Sequence, residues 1–177
     1  MADDLRLLDL NWVTSRLAVG GRYPMDQAAT LARHEVRHVL DLRLEDADDE
    51  TVLKECGIEL LRLPTPDNQP LSLPTIRKGI SWITPILRLE KKVFIHCEYG
   101  IGRSPLLACC ALVSLGYSPL EALARVKGAR PQASPSPAQL AALRAWAREW
   151  RDENALTWPI PDVDDLYRIA YRHLASF

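Results

Sequence analysis

The stretch VFIHCEYGIGRSP, residues 93–105, ends an apolar run in His96 and Cys97, passes two glycines and delivers Arg103 six positions after the cysteine. Set between a buried strand and a buried helix, such a loop turns the backbone N–H groups of Glu98, Tyr99, Gly100, Ile101, Gly102 and Arg103 toward one point at the helix N-terminus. The glycines supply the backbone freedom that this convergence needs. That point suits a tetrahedral dianion, and the same positive field favours the thiolate of Cys97 over its thiol. Cys97 is then a nucleophile toward phosphorus. The planar fork of Arg103 grips two phosphate oxygens where a lysine would offer a single point charge.

Displacement at phosphorus leaves an oxyanion that departs poorly unless it receives a proton. Asp67, in LRLPTPDNQP, lies 97 − 67 = 30 residues before the cysteine. It is expected at the carboxyl end of a strand beside the one carrying Cys97, where the loops of such sheets build their sites. The hydroxyl of Ser104 is placed to hydrogen-bond the thiolate when it leaves. His96, expected beneath the loop, serves to orient backbone groups rather than to attack.

The elements that must hold these residues follow from periodicity. Residues 16–19 read as a strand closed by Gly20-Gly21, residues 25–33 as a helix, VRHVLDLR as a second strand and IELLRL as a third. The acidic run 45–50 reads as a solvated helix start, capped by Asp48 and stopped by Gly57. Ile76, Ile80, Ile83 and Leu87 mark one face of a helix bent near Pro85. KVFIHC is a continuous apolar strand buried on both faces, and RSPLLACCALVSLG a helix buried nearly all round. Ser118 with Glu121 and Ser136 with Gln139 predict two capping boxes, each followed by Pro at the first helical position; the box accounts for Gln139 without a further role. Asp162 is expected to cap a last helix whose stripe is Val163, Leu166, Tyr167, Ala170 and Leu174, docked on its own domain.

Strands alternating with helices predict an α/β fold: a central, mostly parallel sheet of four to five strands flanked by helices. Residues 1–151 form the expected catalytic domain and residues 152–177 a C-terminal helical extension. The 177 residues suffice for one sizeable core. Lysines and arginines number 22 against 23 acidic residues, so no basic field advertises a nucleic acid or an anionic membrane. Attraction to phosphate must be local. The acidic start, MADD, is unlike a secretory signal, so a cytoplasmic location is the expectation. Cys56, Cys97, Cys109 and Cys110 lack zinc-ligand spacing and are read as reduced thiols, with a disulfide to Cys97 the lesser alternative. His34, His38 and His173 have no companions at ligand spacing.

HCEYGIGRS resembles the signature loop of the cysteine-based protein tyrosine phosphatases, in the H-C-x-x-G-x-x-R-S form of the dual-specificity branch. The resemblance extends through LAVGG, VRHVLDLR, IELLRLPTPD and ARPQASPSPAQLAAL, covering roughly residues 10–150. It implies a protein tyrosine phosphatase-like fold and a phosphocysteine mechanism without metal or other cofactor. Cys97 would be the nucleophile, Arg103 the phosphate ligand, Asp67 the general acid and then base, and Ser104 the aid to thiolate departure. The acid loop carries Pro66-Asp67 where the larger tyrosine-specific enzymes have Trp-Pro-Asp, which fits the smaller branch. Glu98 and Tyr99 stand where phosphoinositide-directed relatives tend to carry lysines. Phosphotyrosine and phosphoserine or phosphothreonine in proteins are therefore the expected substrates, and a monomer the expected form. The alternatives are a lipid, glycan or RNA-end ester, a phosphate-binding adaptor without turnover, and a rhodanese-like sulfur transfer that the G-x-x-R-S ending disfavours.

Overall fold

The computed structural model describes residues 4–174. Five strands make one sheet: β1 (Leu10–Trp12), β2 (Leu17–Gly20), β3 (Val36–Arg43), β4 (Glu59–Thr65) and β5 (Lys92–His96). Their spatial order is β1-β2-β5-β3-β4, parallel throughout except for β1, which runs antiparallel to β2. The three-residue β1 escapes a periodicity reading because it is too short to alternate. The expected strand pairing of the acid loop changes: β3 stands between β4, which leads to Asp67, and β5, which leads to Cys97. As the edge strand, β4 accommodates Pro64, whose missing N–H would break an interior ladder.

Side-chain alternation assigns the two faces. Leu17, Val19, Val93 and Ile95 join the larger core, under α3 (Leu73–Arg88), α4 (Arg103–Ser114), α5 (Pro119–Ala129) and α6 (Pro137–Glu153). Ala18 and Phe94 point the other way, onto Leu31 of α1 (Ala28–Arg33) and Leu53 of α2 (Glu50–Glu55). Every residue of α4 is buried, because it is wrapped by the sheet and by α3, α5 and α6. Both expected capping boxes form. α3 continues through Pro85 to Arg88.

Three local expectations are corrected. Asp49, not Asp48, caps α2 by accepting from the amides of Thr51 and Val52; Asp48 is buried instead against charged partners of the sheet. Asp162 precedes α7 (Val163–Ala170), but its side chain makes no capping hydrogen bond. Of the predicted stripe, Leu166 and Ala170 enter the core, whereas Tyr167 and Leu174 are exposed. The helix stops at Ala170, and the 3-10 turn Arg172–Leu174 rotates Leu174 off the face. The docked face of α7 meets α5 and α6.

Candidate active site

β5 carries apolar side chains to His96 and stops where the chain needs to turn upward; α4 begins at Arg103 with its N-terminus facing the turn. Residues 97–102 are the loop between them. The Gly100 N–H donates to Cys97 Sγ at 3.3 Å, and Ser104 Oγ lies 3.3 Å from the same sulfur. Ser104 also donates to the Gly20 carbonyl at 3.0 Å, so its hydroxyl is held between β2 and the thiol. The Gly100 amide and the N-terminal end of α4 face the sulfur at the loop's base, with the Ser104 oxygen beside it.

Gly100 sits at φ +64°, and a Cβ there would lie 2.5 Å from Arg130 Nη2 and 2.5 Å from the Gly20 carbonyl carbon. Only glycine tolerates both conditions. The arginine that crowds it is a clamp that sequence reasoning missed. Arg130 is buried, donating from Nε to the Gly100 carbonyl at 2.6 Å and from Nη2 to the Tyr99 carbonyl at 2.9 Å. Its remaining donors reach Asp9 Oδ1 at 2.7 Å, Asp9 Oδ2 at 2.9 Å and Asn11 Oδ1 at 2.8 Å. With two loop carbonyls held outward, the loop amides are left facing inward.

Arg103 is buried. Its Nη1 donates to Glu45 Oε2 and to the Thr65 carbonyl, each at 2.8 Å, and its Nη2 approaches Glu45 Oε1 at 2.5 Å and Asp67 Oδ1 at 3.1 Å. Burial opposes the guanidinium charge, but Glu45, Cys97 and Asp67 outweigh it and raise the pKa above its ordinary value. Glu45, expected as part of a solvated helix start, is thus bound to the site. Asp67 follows β4 on an exposed turn and accepts from the Asn68 amide at 2.9 Å.

Beneath the loop runs a second ionic layer. His96 Nε2 lies 2.8 Å from Asp48 Oδ2, which also accepts from Tyr23 Oη at 2.9 Å. Arg43 Nη2 binds Asp48 Oδ1 at 2.8 Å, and its Nε binds Asp41 Oδ1 at 3.0 Å. Burial pushes the Asp41 carboxyl upward, yet Arg43 prevails and holds it below its usual value. Asp41, Asp48 and His96 bring donor atoms within 4.8 Å of one another; the cation serving this cluster is the Arg43 guanidinium. Glu98 turns away from the loop's mouth, to Arg22 Nη1 at 3.3 Å and Arg43 Nη1 at 3.6 Å.

Above the loop is a cleft of about 190 Å³ lined by Asp67, Cys97, Tyr99, Ile101, Gln139 and Tyr171, among others. Gln139 fills its capping box as expected, and its Nε2 also donates to the Gln69 carbonyl at 3.1 Å, tying α6 to the acid loop. A Cβ on Gly102 would lie 2.5 Å from Gln139 Oε1. The structure therefore brings Cys97, Arg103, Ser104 and Asp67 together at one mouth, with His96 below. Glu45, Arg130, Asp9 and Tyr171 had no sequence signal beyond charge or aromaticity, because each is recruited from a distant segment.

A family model described as the dual specificity phosphatase catalytic domain matches residues 19–149. A probable protein tyrosine phosphatase type IVA B of Dictyostelium discoideum is 49% identical over 45 residues, which is 25% of this chain and 28% of that protein. The crystal structure of Tk-PTP in the active form shares 28% identity at a TM-score of 0.73, covering 79% of this chain and 97% of that one. PTPMT1 in complex with PI(5)P superposes with a TM-score of 0.78 at 22% identity over 83% of this chain and 99% of that one. At that identity the likeness establishes the fold alone.

Proposed function

We propose, from the premise that the chain belongs to the dual specificity phosphatase family, that it hydrolyses phosphotyrosine and phosphoserine or phosphothreonine in proteins. Family membership supports a cysteine phosphatase. The roles of the residues and the protein substrate are our reading of the site.

In that reading the Cys97 thiolate attacks phosphorus while the Arg103 guanidinium and the loop amides bind the non-bridging oxygens. The bond from phosphorus to the ester oxygen breaks, and Asp67 gives that oxygen its proton. The phosphocysteine is then attacked by water, whose proton passes to Asp67, and the sulfur leaves as the Ser104 hydroxyl turns its proton from the Gly20 carbonyl to it. Each step balances with these groups alone. One observation carries the reading: Cys97 Sγ, Ser104 Oγ, Arg103 and Asp67 converge on a single mouth, with Ser104 3.3 Å from the sulfur and Asp67 3.1 Å from the guanidinium.

The choice of protein over a multiply phosphorylated lipid rests on the cleft lining. No lysine or arginine is among the described residues that line it, so a second phosphate finds no cation there. The Glu98 carboxylate gives no help in this choice, since Arg22 and Arg43 neutralise it. The test is phosphate release, in EDTA, from matched phosphotyrosine and phosphothreonine peptides, with Cys97→Ser protein as background. Release from both supports the proposal; release from neither, with turnover of a phosphoinositide, overturns it. Asp67→Asn should slow release far more than it weakens peptide binding, and an unchanged rate removes Asp67 from the role.

A further inference from the structure

The cleft has one wall that the catalytic loop does not build. Tyr171 immediately follows α7, in the C-terminal extension, yet it lines the same cleft as Cys97, beside Tyr99 and Ile101. Its position is fixed from several sides. The hydroxyl donates to the Pro135 carbonyl at 3.0 Å and approaches the Ser134 carbonyl at 3.4 Å. The ring stacks on Tyr167 with centroids 4.3 Å apart. Below it, Leu166 and Ala170 are fully buried.

The segment between tail and loop is itself tied to both. Ser134 donates its amide to the Ile101 carbonyl at 2.8 Å and its hydroxyl contacts the Ala170 carbonyl at 3.5 Å. Lys127, buried, spans the Ala133 carbonyl at 2.7 Å and His173 Nδ1 at 2.8 Å. Tyr171 is thus held against the phosphate loop by a chain of short contacts.

We infer that Tyr171 is a specificity-determining residue, an aromatic wall that favours phosphate esters of aryl alcohols over those of alkyl alcohols. This rests on the hydrolytic reading above. With phosphate seated on the loop amides, the leaving group projects through the cleft past Tyr99, Ile101 and Tyr171. A phenyl ester presents a π-face and a large apolar surface to that wall. A threonyl ester is shorter, offers one methyl group and gains little from the ring. The discrimination comes from the tail, so the extension is part of the substrate site.

The experiment compares kcat/KM for phosphotyrosine and phosphothreonine peptides of one sequence, and for 4-nitrophenyl phosphate against glycerol 2-phosphate. Wild type, Tyr171→Phe, Tyr171→Leu and Tyr171→Ala are measured, each checked for folding by thermal unfolding. Tyr171→Phe keeps the ring and should retain the aryl-to-alkyl ratio. Tyr171→Ala and the bulkier Tyr171→Leu should lower that ratio roughly three- to tenfold, mainly through the aryl substrate. A parallel fall on both esters, or an unchanged ratio in Tyr171→Leu, overturns the inference. If neither peptide is turned over while the small esters are, the protein-substrate reading fails and the ratio on the small pair still decides the role of Tyr171.

Discussion

Arg103 and Glu45 meet in a two-point ion pair, with Nη2 to Oε1 at 2.5 Å and Nη1 to Oε2 at 2.8 Å. The pairing leaves Arg103 Nε buried and without a hydrogen-bond partner. A buried donor without a partner is costly, and in the proposed reaction a phosphate oxygen would be its acceptor. Glu45 thus sets the angle of the fork rather than competing for all of it.

The first prediction concerns that angle. Glu45→Gln keeps the shape but replaces a two-point charged contact with one neutral acceptor. A loss of about tenfold in kcat/KM for a phosphotyrosine peptide is expected, larger in KM than in thermal stability. Steady-state kinetics on the two proteins decide it, and equal KM values would leave Glu45 outside the site's geometry.

Acid stability provides the second. Arg103 holds the Glu45 carboxyl down from its ordinary 4.5 to about 2. A depressed carboxylate contributes stability that is present above its unfolded pKa and lost as pH falls through the folded one. The melting temperature gap between wild type and Glu45→Gln should hold steady near neutrality and close as pH drops from about 4.5 toward about 2. Because the Glu45 side chain is 38% exposed, screening limits the gap to roughly 1 kcal/mol or less. Calorimetry across that window tests it, and a gap that widens in acid contradicts the assignment.

Arg130 supports a third. Lysine at this position keeps the charge but cannot hold Asp9 at two points and two loop carbonyls at once. Arg130→Lys should lose about 2–4 kcal/mol of stability, and orthovanadate, a mimic of the five-coordinate transition state, should bind roughly tenfold more weakly. Vanadate titration of the folded variant gives the answer. Wild-type affinity would mean that the loop holds its shape without the clamp.

The fourth concerns the thiols. Cys109 and Cys110 lie fully buried on α4, and burial pushes both thiol pKa values upward. Cys97, although buried, opens on the cleft and accepts a hydrogen bond from the Gly100 amide. Iodoacetate at pH 6 should alkylate Cys97 first and leave the α4 pair untouched until unfolding. Peptide mass mapping reads the order, and equal labelling would count against Cys97 as the accessible nucleophile.

The sheet, the buried α4 and the two capping boxes were legible because local pattern decides them: apolar runs, Gly116 at a helix end, Ser-Pro starts. The convergence of Cys97, Arg103 and Ser104 was legible for the same reason, since one loop carries all three. The strand order was not, because nothing local tells β3 to stand between β4 and β5. Glu45 and Asp48 read as a solvated acidic run; burial of Arg43 and Arg103 beside them is a tertiary fact. Arg130 carried no local signal, and Tyr171 lay off the stripe predicted for the tail helix. Both owe their roles to partners more than 30 residues away in sequence, Asp9 for the one and Ser134 for the other.

The clamp on the phosphate loop joins positions 121 residues apart, Asp9 near one end of the described chain and Arg130 after α5. Loop-closure entropy makes such a contact a late event in folding. Arg130 in turn holds the Gly100 and Tyr99 carbonyls, so the set of the loop rests on a contact between distant segments. A cut before Leu10 would remove both Asp9's hold on Arg130 and Leu8, a member of the core under α1 and α2. The shape of the loop after β5 therefore depends on a residue near the start of the described chain.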